Sequence, residues 1–378
     1  MVTTFHFVKT EMEMRHLMAS ADYCNKFIMN GGDSMSKKRG GNRLKYQVEQ
    51  SIKKINRIGV SKKMLRDENV ETGIHSITQV KHALSVSQNF ADWAKSEKGV
   101  KDLFQLKRSH YRAYLDFKKA EGVSTGHLIN IETNLRLLEK GMNRISEEKG
   151  FPQRNWVPKV RLIATNSREK PQDRSYTPKE IEGYLNKLST NVRIGADLQV
   201  AFGLRLREVA NTKVAHIEEK AGKLFWVASA DKTALNAAQG VTKAARERET
   251  PCRPEYEQRV RELIQGKEQG QYVVPVRYNT LKSGYNRAGM KGSHAFRHTY
   301  AREMFRNELQ SLGIEQKGRN MMQRMLENRA AGYRKDHLVT RDERLLYGDV
   351  SRAMDRIQSY LGHGDGRMDL AEIYLKGF

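Results

Sequence analysis

His294-Ala295-Phe296-Arg297-His298 is the stretch on which the reading of this chain turns. It sets an arginine three residues after a histidine at the start of a predicted helix, a spacing that puts both on one face. An imidazole can give or take a proton near neutral pH, whereas a guanidinium stays cationic and grips oxyanions with a planar fork. His294 and His298 also have the spacing of zinc ligands on a helix. The metalloprotease motif, however, needs glutamate at its second position, where Ala295 stands, so no metal is expected.

Working outward, the chain repeats this chemistry at intervals. Breaking a phosphodiester without a metal needs a nucleophile, cations around the transition state and an acid for the leaving oxygen. Upstream, Gly203-Leu204-Arg205-Leu206-Arg207-Glu208-Val209 puts Arg205 and Glu208 one helical turn apart, a spacing that an ordinary ion pair would also explain. Downstream come Tyr360-Leu361-Gly362-His363 and Ile373-Tyr374. Alone, Tyr374 is one of 15 tyrosines. Two lysines, Lys232 and Lys243, lie between two predicted strands and compete for the role of acid.

Taken in order, Arg205, His294 with Arg297, His363 and Tyr374 resemble the boxes of the tyrosine recombinase (phage integrase) family. The segment Lys243-Ala244-Ala245-Arg246-Glu247-Arg248-Glu249-Thr250-Pro251 is similar to that family's β-hairpin, with alanine at position 244 where glycine is usual. That register favours Lys243 over Lys232. The resemblance implies a mainly α fold with a small β-sheet, in which a helical core-binding domain and an α+β catalytic domain clamp DNA. It implies that Tyr374 attacks the phosphate to give a 3′-phosphotyrosine without cofactor, and that Arg205 and Arg297 hold the phosphate. Lys243 would protonate the 5′ oxygen, His294 would act as acid and base, His363 would donate to a non-bridging oxygen, and Glu208 would orient its neighbours. It further implies double-stranded recombination sites, a homotetramer working through a Holliday junction, accessory DNA-bending or directionality factors, and integration or excision of a mobile element. Two other readings stand beside it. A type IB topoisomerase-like or telomere-resolving enzyme would use the same residues on one duplex, and a DNA-binding regulator of the same fold would use none of them.

Composition agrees with a nucleic-acid partner. Across 378 residues, 68 Lys and Arg outweigh 44 Asp and Glu, a formal charge of +24, and a polyanion is the natural counterpart. No apolar run reaches the length of a membrane span and no signal peptide opens the chain, so a cytoplasmic, nucleoid-associated protein is expected. Cys24 and Cys252 lack partners at metal or disulfide spacing.

The length predicts more than one domain. Residues 1–72 read as a basic extension, irregular to about residue 45. Its glycine- and lysine-rich stretch from Asn30 to Asn42 would either track phosphates or simply be solvated. Apolar residues at helical spacing predict a helical core-binding domain over 73–150, with one helix capped by Ser76 and ending near Gly99, and with Lys107 and Arg108 among the basic residues suited to DNA. Prolines 152, 158 and 171 predict a linker over 151–174. The catalytic domain, 175–378, starts with a helix capped at Thr177. It continues as a helical stretch from about Ala196 to Ala210 and strands near 224–229 and 248–252, and helices resume near His294. Arg246 and Arg248 are further DNA-contact candidates. The long interval from Arg297 to His363 predicts an insertion at about 303–350, an extra helical element carrying Met321, Met322, Met325 and Leu326, read as a partner or DNA contact in preference to a passive excursion.

Overall fold

The structure, a computed structural model, describes residues 43–167, 169, 172–290, 292–376 and 378. The glycine- and lysine-rich stretch before residue 43 and Cys24 lie outside them. Two compact units, Met1–Lys170 and Pro171–Phe378, divide the chain. Among the described residues the fold is helical apart from one three-stranded antiparallel sheet, the class expected from the sequence.

The first unit holds α1 (Arg43–Lys54), α2 (Lys62–Asp67), α3 (Ile77–Lys98), α4 (Arg108–Ala120) and α5 (Thr125–Glu148). Ser76 caps α3 by accepting from the Gln79 amide, and Gly99 ends it in a left-handed conformation. The expected extension is shorter than predicted, because α1 is amphipathic and buries Leu44, Val48 and Ile52 in the same core as Phe90, Tyr114 and Leu135. Its approach to α5 is close. A Cβ on Gly141 would lie 2.0 Å from the Ser51 carbonyl oxygen, so the crossing needs a glycine. The proline-rich segment after α5 is also less of a linker than its composition suggests. Trp156 and Val157 are buried in this core, and the wholly buried Glu132 carboxylate accepts from the Tyr111 hydroxyl (2.7 Å) and the Leu162 amide (2.9 Å).

In the second unit, α6 (Pro178–Leu185) begins at the expected Thr177 cap, and Glu180 reaches back to complete a capping box. The helical stretch predicted over Ala196–Ala210 is broken instead: α7 (Thr190–Phe202) stops at Gly203, φ +61°, and α8 (Leu206–Ala210) starts afresh with Arg205 as its extended N-cap. The sheet runs β1 (Ile217–Lys220), β2 (Lys223–Ala228), β3 (Arg248–Pro251), with β2 in the centre. β1, with the charged sequence Ile-Glu-Glu-Lys, was not anticipated. Helices resume earlier than predicted, as α9 (Glu257–Ile264) and α10 (Tyr278–Arg287), ahead of α11 (His294–Ser311), α12 (Glu315–Ala330), α13 (Arg344–Tyr360) and α14 (Met368–Leu375).

The extra element in the Arg297–His363 interval is α12, and its methionine stripe is core. Met321, Met322, Met325 and Leu326 are buried with Phe305, Met354 and Tyr374, where the flexible thioethers fill the space between helices. The arginines around the stripe pair within the unit, Arg319 with Glu315, Arg324 with Glu343 and Arg329 with Glu372 on α14. The expectation that these methionines form a contact surface is therefore corrected.

Candidate active site

Four separated segments of the second unit meet around Arg297. The first is the α7–α8 break. A Cβ on Gly203 would sit 2.5 Å from the Tyr300 ring, so the turn is reserved for glycine on grounds of both space and backbone. Directly after it, Arg205 donates its amide to Glu208 Oε2 (2.7 Å) and its Nη1 to Oε1 (2.8 Å).

Arg297 itself, one turn into α11, is 0 % exposed. Its Nη1 donates to the Gly203 carbonyl (2.7 Å), its Nη2 to the Leu361 carbonyl and its Nε to the Tyr374 hydroxyl (3.4 Å). Burial lowers its pKa to about 10, with Arg248 and Arg205 adding to the effect while Tyr374 and Glu208 oppose it, so it remains a cation at neutral pH. Such a group is tolerated in a core because every edge of its fork finds an acceptor.

The third segment is the end of α13. Gly362, φ +67°, closes a Schellman-type turn in which the Gly362 amide donates to the Ser359 carbonyl (2.7 Å) and the His363 amide to the Gln358 carbonyl (2.8 Å). That turn throws His363 back over Arg297, with Nε2 3.5 Å from Nη2. Burial and then Arg297 and Arg205 hold the His363 pKa at about 4, so its ring is neutral at physiological pH. The fourth is α14, which presents Tyr374, 7 % exposed, with its ring 5.9 Å from that of His363.

His294, at the first position of α11, is solvent-exposed on one side. Crowding on the other, followed by Arg297 and Arg205, keeps its pKa below the ordinary value. His298 lies closer to the nucleophile candidate than sequence reading suggested. Its buried ring is 4.7 Å from that of Tyr374, its pKa is held near 4 by burial and then by His294 and Arg174, and Nδ1 has no hydrogen-bond partner among the described residues. The signal is present in the sequence, since His298 stands one turn beyond His294, a spacing that by itself points to a metal ligand.

A cleft of about 320 Å³ opens beside this cluster, lined by Arg205, Glu208, Lys243, Arg246, His363 and Arg367 among others. Lys243 and Arg246 are exposed there, whereas Lys232, exposed in the β2–β3 connection, does not line it. Ala244 and Ala245 both adopt positive φ, +62° and +52°. The loop thus demands at position 244 the backbone that glycine supplies most cheaply, and alanine bears the strain. Arg248, expected as a DNA contact, lines the cleft but is not an exposed surface residue. Residues alternate in and out along β3, and Arg248 takes an inward place, 7 % exposed, stacked 4.8 Å over the Trp226 ring and paired with Glu208. Lys107 and Arg108 are exposed at the start of α4 in the first unit.

Glu208 has opposing influences. Burial pushes its carboxyl up, but Arg248, Arg297 and Arg205 outweigh it and hold the pKa below the ordinary value. Among the described residues, no group of three His, Cys, Asp or Glu is placed to hold a metal ion, and no helix is long and apolar enough to cross a membrane. Chemically, the cluster offers a phenol beside a guanidinium and neutral imidazoles, at the edge of a cleft rich in cations.

No family model and no curated protein matches the chain. The solved structures it resembles include the XerH site-specific recombinase bound to its palindromic difH substrate in a post-cleavage complex, at 14 % identity and a TM-score of 0.46, covering 92 % of this chain and 90 % of that one. A lambda integrase dimer bound to a COC′ core site is similar at 14 % identity and a TM-score of 0.45, over 83 % of this chain and 93 % of that one. The Tn1549 transposon integrase in complex with circular intermediate DNA is similar at 13 % identity and a TM-score of 0.40, over 82 % and 92 % of the two chains.

Proposed function

We propose that this chain is a tyrosine site-specific DNA recombinase that cuts and rejoins DNA through a covalent link to Tyr374. The observation that carries the proposal is the convergence of Arg205, Arg297, His363 and Tyr374 from four separate segments, with the Tyr374 hydroxyl hydrogen-bonded to Arg297 Nε. A phosphate entering the cleft meets the Arg205 guanidinium and the Lys243 ammonium, whose positive charges stabilise a five-coordinate transition state. Tyr374 Oη attacks phosphorus, the 5′ oxygen leaves, and Lys243 supplies its proton. The phosphotyrosine conserves the bond energy, so attack by another 5′ hydroxyl reverses the step on a new strand. His294 assists proton transfer at the tyrosine and His363 donates to a non-bridging oxygen.

Strand exchange in this scheme needs paired DNA sites, and so a homotetramer working through a Holliday junction. Integration or excision of a mobile element is the process it suits. Lys107 and Arg108 would bind the duplex backbone from the first unit. The test uses a duplex nicked beside the cleavage site, so that the short 5′ strand diffuses away and traps the intermediate. The wild-type chain is expected to give a covalent protein–DNA adduct and Tyr374→Phe none. Absence of the wild-type adduct, or its persistence in the variant, refutes the proposal. Recombination of a plasmid carrying two sites then separates a recombinase from a topoisomerase-like enzyme.

A further inference from the structure

Arg248 has a charge that the mechanism above does not use. Its side chain, 3 % exposed, lies at the wall of the cleft, and its guanidinium is committed to Glu208, reached by Nη2 to Oε2 (3.0 Å) and Nη1 to Oε1 (3.3 Å). The same two oxygens take the Arg205 amide and Nη1, so one carboxylate couples β3 to the cleft-lining Arg205. On its far side, Arg248 Cδ would lie 3.0 Å from a Cβ on Gly362, the residue that turns the chain toward His363. We propose that Arg248 is a positioning residue for DNA cleavage, holding Arg205 in place through Glu208. The inference rests on the recombinase reading and adds to it a residue that acts through the Glu208 carboxylate.

The physical reason is the cost of a lone buried charge. Glu208 faces Arg205 from its own helix cap, Arg248 from β3, and Arg297 and His294 from α11. Arg297 spends its donors on two carbonyls and Tyr374, so Arg248 is the cation with hydrogen bonds to give the carboxylate besides Arg205. Without Arg248, burial dominates and Glu208 takes up a proton at higher pH. A protonated Glu208 no longer anchors Arg205, and cleavage fails on the acid side of the profile.

The experiment follows adduct formation on the nicked duplex between about pH 5 and 9, with DNA affinity measured in parallel. For Arg248→Met, the rate at neutral pH is expected to fall about tenfold with DNA affinity unchanged, and the acid limb to move up by about one pH unit. Arg248→Lys, which keeps a cation, should lie between Arg248→Met and wild type. In the pair Glu208→Gln with Arg248→Met, the group that titrates is gone, so cleavage should be slow at every pH and show no such limb. A wild-type rate and profile in Arg248→Met, or a shifted acid limb that survives in the pair, overturns the proposal. If Arg248→Met does not melt cooperatively, Arg248→Lys decides, an unshifted limb counting against. A wild-type chain that forms no adduct refutes the recombinase reading itself, a result visible before any Arg248 variant is compared.

Discussion

At the scale of single residues, the site depends on backbone positions as much as on charged side chains. Gly203 supplies the carbonyl that Arg297 grips, allows the left-handed turn that frees Arg205 from α7, and leaves room for the Tyr300 ring. Gly203→Ala would add a left-handed penalty of about 1–2 kcal/mol to an overpacking cost of about 1–3 kcal/mol. A lowered urea midpoint, together with loss of adduct formation, is the expected result; a midpoint equal to wild type would show that the turn tolerates a Cβ. Burial accounts for what sequence reading missed at this scale. Arg205, His294, Arg297, His363 and Tyr374 stand out because their segments, taken in order, resemble the boxes of one family, whereas Arg248 reads as a DNA contact in the hairpin and the pleat of β3 turns it inward.

At the scale of elements, helices with strong periodicity and caps were legible, including α3 with Ser76 and Gly99 and α6 with its capping box. The elements that escaped lack such marks. β1 is too charged and short to show a period of two, and α1 follows a basic stretch that hid its amphipathic face. For α12 the pattern was seen and its destination mistaken, since an apolar stripe serves a core or a partner equally well until its neighbours are known. With Met325 buried in the cluster that holds Tyr374, α12 becomes a buttress for the helix carrying the proposed nucleophile. Met325→Ala should destabilise by about 2–5 kcal/mol and slow adduct formation while leaving DNA affinity intact. Thermal melts and the nicked-duplex assay check the two effects, and loss of DNA affinity alone would instead return α12 to the role of a contact surface.

At the scale of the whole molecule, the excess of 24 positive charges makes the proposed DNA binding a matter of counterion release. Each lysine or arginine that neutralises a phosphate frees bound cations, so affinity falls as a power of the salt concentration, with a slope near 0.9 per contact for duplex DNA. Many of this chain's arginines are committed to internal partners, as Arg248, Arg297 and Arg302 are, and net charge alone therefore overstates the binding face. Lys107 and Arg108 are exposed on a helix whose first turn contains no acid, which fits them for phosphates. Replacing both by alanine should make the plot of log affinity against log salt shallower by about two. The loss should be alike on specific and unrelated duplexes, because phosphates carry no sequence information. An unchanged slope would remove the start of α4 from the DNA-binding surface, and a loss confined to one sequence would make these residues readers of bases.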